Sequence, residues 1–170
     1  MTRKRDTGFT LIELLIVVAI ISIIAAIAVP GLMRARMGGH ETSAMLSLKA
    51  VNAAEIGYTA SCGNGGFAIL FATLAAPSPT VGYISADLAT DPAIKSGYTI
   101  TLAAGLGAVA GPNDCNGTAT STSYYASAVP TAYGSTGNRS FATNATNTVF
   151  QEWAATAPVE PFGLPATPIG

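Results

Sequence analysis

Charged side chains are scarce in this sequence, and their scarcity excludes several functional classes at once. Only 10% of the 170 residues are Asp, Glu, Lys or Arg, against about 25% in ordinary soluble domains. The formal net charge is −1, and the only cluster of basic residues is Arg3, Lys4 and Arg5, so no nucleic-acid partner is expected. The surface must instead consist of Ser, Thr, Asn, Gly and Ala, a composition that suits packing against further copies of the chain.

Histidine and cysteine are also too few for the common catalytic and metal sites. His40 is the only histidine, the two cysteines do not form a C-x-x-C motif, and no phosphate-binding glycine loop is present. We therefore expect no enzymatic activity, no metal site and no cofactor.

A short basic head precedes a long apolar run at the start of the chain. The head is residues 1–8, and the run extends almost unbroken from Phe9 to Val29. As a helix rising about 1.5 Å per residue, the run is about 32 Å long, enough to cross a hydrocarbon core of about 30 Å. The positive-inside rule places the basic head in the cytoplasm. A cleavable signal peptide is the competing interpretation, although its apolar region is usually about 7 to 15 residues long.

Glu13 is the one charged residue within this apolar run. Ionisable groups inside membrane segments are costly and rare, so a functional role is the default hypothesis for such a residue. The competing interpretation is a carboxylate that reaches towards the membrane edge with its polar end. The glutamate side chain is short, which disfavours its reaching the membrane edge from within the apolar run.

A second helical segment follows the apolar run. Pro30 interrupts the run, and Gly38 and Gly39 are further points at which a helix can bend or unwind locally. Residues at intervals of three or four then continue the helical pattern, namely Met45, Leu48, Asn52, Glu55, Ile56 and Thr59. The glycine-rich residues 61–66 should end this helix.

The remainder of the chain has the composition of a small β-rich domain. We expect a short helix at residues 67–75, broken by Pro77 and Pro79, and a structured loop as far as Ser96. Three or four antiparallel strands should follow, with their apolar face on the second half of the helix. The segments predicted as strands are 98–102, 123–129, 139–143 and 149–153, with a hairpin turn at 144–147.

These features predict an α+β fold in which one long N-terminal helix packs on a small antiparallel sheet. The tail carries four prolines and should be extended or poorly ordered. The predicted divisions are a basic head at 1–8, a membrane half of the helix at 9–29, an amphipathic half at 30–61, a globular head at 62–157 and the tail at 158–170.

The run Gly8-Phe9-Thr10-Leu11-Ile12-Glu13-Leu14 strongly resembles the processing signature of type IV prepilins and of the pseudopilins of type II secretion. The resemblance covers residues 8–37, and Pro30 lies where that family usually has its helix kink. It implies cleavage between Gly8 and Phe9 by a membrane prepilin peptidase, which removes residues 1–8. It also implies methylation of the new Phe9 amine and polymerisation into a helical filament with the N-terminal helices at its centre.

The same resemblance implies a role for Glu13 and a set of partners. After cleavage, the Phe9 amine and Glu13 are the only formal charges in an apolar segment, and burying either alone is costly. Pairing between the amine of one subunit and Glu13 of its neighbour would fix the axial register. The implied partners are further copies of the chain, the peptidase, the inner-membrane assembly machinery and, before assembly, the lipid bilayer. The implied location is the inner membrane, followed by an extracellular or periplasmic filament.

Cys62 and Cys115 both follow the apolar run, so the predicted topology exposes them to an oxidising compartment. An even number of cysteines in such a compartment usually forms bridges, and we therefore expect a disulfide between them. Closing a loop of this length stabilises the fold by about 4 kcal/mol in the chain-entropy model.

Three functional hypotheses are consistent with these features. The leading one is a major subunit of a type IV pilus-like filament. The second is a major pseudopilin of type II secretion, although Trp153 is followed by Ala154 here, and not by the glycine that often follows tryptophan in that family. The third is a membrane-tethered periplasmic binding domain that keeps its N-terminus and never polymerises.

Overall fold

The computed structural model describes residues 9–76 and 82–169. The predicted head, including Gly8, and the expected helix breakers Pro77 and Pro79 lie outside these residues. The chain divides into two units, Met1–Arg36 and Met37–Gly170, and each is described by itself below.

One helix, α1, extends over Leu11–Ser61 and contributes to both units. Its helical backbone continues through Pro30, Gly38 and Gly39, so the local unwinding expected at these positions is not observed. A bend at Pro30 stays a prediction. The helix ends at Ser61, immediately before Cys62 and the glycines beyond it, as the sequence predicts.

In the first unit, every described residue from 9 to 36 is exposed. No charged side chain lies between Glu13 and Arg34. Ser22 does not interrupt the apolar surface with an unsatisfied polar group, because its hydroxyl donates to the carbonyl oxygen of Val18 at 2.7 Å. This bond to the preceding turn satisfies the hydroxyl within α1 itself.

The second unit combines the C-terminal part of α1 with a short helix, a single 3-10 turn and eight strands. The helix α2 is Phe71–Ala75, and the 3-10 turn is Ala86–Leu88. The strands are β1 Ala93–Lys95, β2 Tyr98–Ala104, β3 Ala110–Asn113, β4 Ala119–Ser121, β5 Tyr124–Pro130, β6 Ser140–Asn144, β7 Phe150–Glu152 and β8 Thr167–Pro168. Six of them form an antiparallel sheet in the order β1-β2-β5-β6-β7-β8, and β3 pairs with β4 separately.

The α+β architecture is confirmed, but the sheet is larger than the predicted three or four strands. The predicted loop before Ser96 contains β1, and the proline-rich tail contributes β8 as an edge strand beside β7. The short helix begins at Phe71 and not at Phe67. Phe67 instead exchanges two backbone hydrogen bonds with Ser121 in an isolated bridge, so its own backbone groups pair with β4 and not within a helix.

The core of this unit lies between α1 and the six-stranded sheet. Leu48, Val51 and Tyr58 recur at intervals of three or seven on one face of α1 and are fully buried. They share the core with the inward-facing side chains of three strands, namely Tyr98, Ile100, Tyr124, Ala126 and Phe141. Each fully buried side chain of this size contributes about 1.5 to 3 kcal/mol, so this face fixes the helix on the sheet.

A buried polar link also joins α1 to the sheet. Asn52 donates from Nδ2 to the Thr143 hydroxyl at 3.0 Å and accepts at Oδ1 from the Tyr124 hydroxyl at 2.9 Å. Because a buried polar group is costly without partners, these bonds specify the position of α1 relative to β5 and β6.

Candidate assembly segment

The candidate functional site is the start of α1, where Thr10 and Glu13 form a reciprocal cap. Thr10 immediately precedes the first helical residue, and Glu13 is the third residue of the helix. The backbone N–H of Thr10 donates to Glu13 Oε2 at 2.9 Å, and the N–H of Glu13 donates to the Thr10 hydroxyl at 3.3 Å. The Thr10 hydroxyl also donates to Glu13 Oε2. This is a capping box, which satisfies two N–H groups that the first helical turn otherwise leaves unpaired.

The capping box was missed in the sequence, although Thr10-Leu11-Ile12-Glu13 has its T-x-x-E pattern. It means that Glu13 has a partner within its own chain, at the positive end of the helix dipole. The carboxylate is exposed, so it also remains accessible to a positive group from another chain. Its predicted pairing with the amine of a neighbouring Phe9 stays a prediction.

The apolar surface that follows Glu13 has no cover in the single chain. Phe9 is 75% exposed, and the large apolar side chains from Leu11 to Val29 are between 47% and 78% exposed. Soluble proteins rarely leave a continuous apolar surface larger than a few hundred square ångströms in water. The helix is long and apolar enough to cross a membrane. Either lipid or other protein must therefore cover this segment.

Of the predicted processing residues, only Phe9 is described, since Gly8 lies outside the described part of the chain. Cleavage after Gly8 and methylation of Phe9 therefore stay predictions. Phe9 lies just before the cap, so a chain that began there would retain both Thr10 and Glu13.

The predicted disulfide between Cys62 and Cys115 is confirmed. Their Cα atoms are 4.8 Å apart, within the usual range for a bridge, and the N–H of Cys115 donates to the carbonyl oxygen of Cys62 at 2.8 Å. Asp114 supports this junction, because Oδ2 accepts a 2.9 Å bond from the Tyr58 hydroxyl and Oδ1 caps the turn that contains Asn116. The bridge therefore ties the end of α1 to the turn between β3 and β4.

A second junction in this unit joins α1 to the β5–β6 connection. Glu41 is buried on α1, and its Oε2 accepts from the Arg139 guanidinium at 2.7 and 2.9 Å. The guanidinium also lies 5.6 Å from the ring centre of Phe141 and 5.5 Å from that of Trp153. Sequence reasoning missed this pair, since the two residues are 98 positions apart and neither lies in a motif.

The described residues provide no evident metal centre. Within 9–76 and 82–169, no three His, Cys, Asp or Glu side chains are placed to hold an ion together. His40 instead lies near the β5–β6 connection, with Nδ1 3.2 Å from the carbonyl oxygen of Thr136.

The N-terminal segment of the chain is similar to known proteins. Residues 3–29 match the family described as the prokaryotic N-terminal methylation motif. The chain is 49% identical over 51 residues to the type IV major pilin protein PilA of Myxococcus xanthus, covering 30% of this chain and 23% of that protein. It is 60% identical over 39 residues to the type IV wide pilus major component PilA4 of Thermus thermophilus, covering 23% of this chain and 30% of that protein. No solved structure matches the chain significantly.

The matches thus span less than a third of either relative's length. They nevertheless confirm the resemblance that the Gly8–Leu14 signature indicates, and the long helix on an antiparallel sheet agrees with it. The motif and the apolar helix together fit a membrane-anchored precursor. The chain therefore carries the prokaryotic N-terminal methylation motif, is similar in sequence to major pilins over part of its length, and has a type IV pilin-like fold of one long helix and an antiparallel sheet.

Proposed function

We propose that this chain is the precursor of a major subunit of a type IV pilus-like helical filament. The observation that carries the proposal is the exposed apolar segment of α1, which lies within the methylation motif and contains a single carboxylate. Two relatives that share sequence with the chain are named as major pilus components. Its role is structural and not catalytic.

The filament provides a physical solution for both features of this segment. Packing the apolar halves of many helices together would cover the side chains between Leu11 and Val29 once the subunit leaves the membrane. The same packing would bring Glu13 into an apolar environment, where only a positive group can compensate it. The Phe9 amine of a neighbouring subunit is the positive group that cleavage after Gly8 would create.

The proposed sequence of events involves several partners. The precursor is inserted in the inner membrane with residues 1–8 in the cytoplasm, a prepilin peptidase removes them, and the new Phe9 amine is methylated. The inner-membrane assembly machinery then transfers the subunit from the bilayer to the base of an extracellular filament. The disulfide between Cys62 and Cys115 and the Glu41–Arg139 pair keep the globular unit intact in that environment.

Deletion of the gene, followed by electron microscopy of the cell surface, tests this function. We expect surface filaments to disappear and to return when the gene is restored. A mutant that retains its filaments but loses protein secretion would identify a pseudopilin. An uncleaved monomer in detergent, with neither phenotype, would identify a membrane-tethered domain.

A further inference from the structure

Glu55 is a carboxyl group that the proposed filament contacts do not use. Its side chain lies on the buried face of α1 and is inaccessible to solvent. Oε2 accepts a hydrogen bond of 3.0 Å from the backbone N–H of Ala68, whereas Oε1 has no hydrogen-bond partner among the residues described. A negative charge on such an oxygen is costly in the protein interior, so the folded chain favours the neutral acid.

Within the part of the chain that the structure describes, the groups that face Glu55 offer no positive charge to stabilise its ionised form. Tyr58 faces it from α1 and Tyr124 from β5, and burial raises the pKa of both phenols well above its usual range, so both stay neutral. Asp114, at the turn after β3, accepts a hydrogen bond from the Tyr58 hydroxyl, so that hydroxyl is already committed to another carboxyl group. Burial therefore raises the pKa of Glu55 to about 8, although the hydrogen bond from the Ala68 N–H acts in the opposite direction.

Ala68 lies in the stretch through which the chain returns from α1, which we call the return segment and define as residues 62–76. Its start is fixed by the disulfide at Cys62, and Phe67 is fixed to β4 by two backbone hydrogen bonds. Beyond Phe67, the bond from Ala68 to Glu55 connects the segment to α1. The rest of the segment contributes Phe71 and Leu74 to the core.

We propose that Glu55 is a pH-dependent latch, whose neutral carboxyl group holds the return segment against α1 and whose ionisation loosens it. In the closed state the acid stays protonated up to about pH 8, and in the open state it ionises near its ordinary pKa of 4.5. The stabilisation of the closed state by Glu55 is therefore complete below pH 4.5, the lower of these two pKa values. The open population rises about tenfold per pH unit between the two values and levels off above the higher one.

Hydrogen exchange of the full chain in detergent, measured by mass spectrometry, tests the latch. The variant Glu55→Gln keeps an oxygen that can accept from Ala68 but cannot ionise. Comparing wild type and variant at each pH cancels the intrinsic pH dependence of exchange. We expect their ratio of opening in the return segment to rise about 100-fold from about pH 5 to about pH 7 and to be constant above about pH 8.

Two controls restrict the result to Glu55. In peptides from residues 140–152, the ratio of opening between wild type and Glu55→Gln should not change with pH. The variant Glu152→Gln, at a half-buried carboxylate on β7, should show the same opening of the return segment as wild type. A constant ratio in the return segment at every pH would overturn the proposal.

A measurement on the wild type alone keeps the proposal testable even if the variant does not fold. The carboxyl carbons of isotope-labelled glutamate can be titrated by NMR in the detergent-solubilised chain. We expect the Glu55 resonance to titrate near pH 8, the value that burial gives it. Titration near its ordinary value of 4.5 would show that the carboxyl is ionised in the closed state and would contradict the latch.

Discussion

Replacing Glu13 should abolish filament assembly without reducing the amount of membrane-inserted subunit. Glu13→Val removes the only charge between Phe9 and Arg34, so the precursor should insert at least as well as wild type. In the filament, however, the substitution leaves the amine of a neighbouring Phe9 without a counter-charge in apolar surroundings. Removing one partner of a buried ion pair weakens an equilibrium by about 100-fold or more at each subunit contact.

The capping box complicates this variant, because Glu13→Val also removes the acceptor for the Thr10 N–H. Two further variants separate the cap from the charge. Glu13→Gln keeps a capping side chain, since glutamine also occurs at this position of capping boxes, but it removes the charge. Thr10→Ala removes the hydroxyl and keeps the charge, and losses of N-cap hydroxyls change equilibria by about two- to thirtyfold.

The assay compares sheared filaments, seen by electron microscopy, with immunoblots of the membrane fraction. We expect no filaments from Glu13→Val or Glu13→Gln, fewer filaments from Thr10→Ala, and a normal membrane pool from all three. Glu13→Asp, which keeps the charge but has a shorter reach, should assemble partially. Abundant normal filaments from Glu13→Gln would refute charge pairing, and their loss only in Glu13→Val and Thr10→Ala would assign the effect to the cap.

Three further predictions concern the globular unit and can be checked by urea denaturation of the purified full chain in detergent. Cys62→Ser should lower the free energy of unfolding by about 2 to 5 kcal/mol, and it should reduce subunit abundance without affecting processing. An unchanged free energy of unfolding after reduction of the bridge with Cys115 would contradict this. Arg139→Ala should lower the free energy of unfolding by about 1 to 3 kcal/mol, because it leaves Oε2 of the buried Glu41 without its positive partner, while Oε1 keeps the bond from the Asn138 N–H. An unchanged stability would exclude the Glu41–Arg139 pair as a stabilising contact. Leu48→Ala should lower the free energy of unfolding by about 2 to 5 kcal/mol. A smaller loss would mean that the core rearranges to fill the cavity.

The sequence predicts most reliably those elements whose signal lies within the element itself. Helix α1 begins with a long apolar run and continues with apolar residues at intervals of three or four. Each of these two signals extends over several helical turns. Strand β2 alternates buried and less buried side chains from Tyr98 to Leu102, as its period of two predicts. The β6–β7 hairpin has a polar turn, in which the N–H of Asn147 donates to the carbonyl oxygen of Asn144.

The missed strands are short and depend on their neighbours. Strand β1 has three residues and β8 has two, too few for an alternating pattern to be recognised. Strand β3 contains Gly111 and Pro112, which ordinarily argue against a strand, but it lies in a separate two-stranded pair. Their extended backbones are stabilised by pairing with strands that are remote in sequence or across a turn.

The candidate site shows the same distinction between local and remote signals. Glu13 could be selected from the sequence because a lone carboxylate in an apolar run is costly, and its cap with Thr10 follows a short local pattern. The Glu41–Arg139 pair could not be selected, since it forms only when the β5–β6 connection meets α1. The helical repeat places Glu55 on the inward face of α1, but its unpartnered oxygen depends on which backbone groups surround it.

The most direct test of the proposed function is the intact mass of the chain recovered from sheared surface filaments. We expect a single species that begins at a methylated Phe9, lacks residues 1–8 and contains the disulfide. That result would establish processing, modification and incorporation in one sample. Recovery of the chain only from membranes, with an N-terminus at Met1 or at Val29, would contradict the proposal.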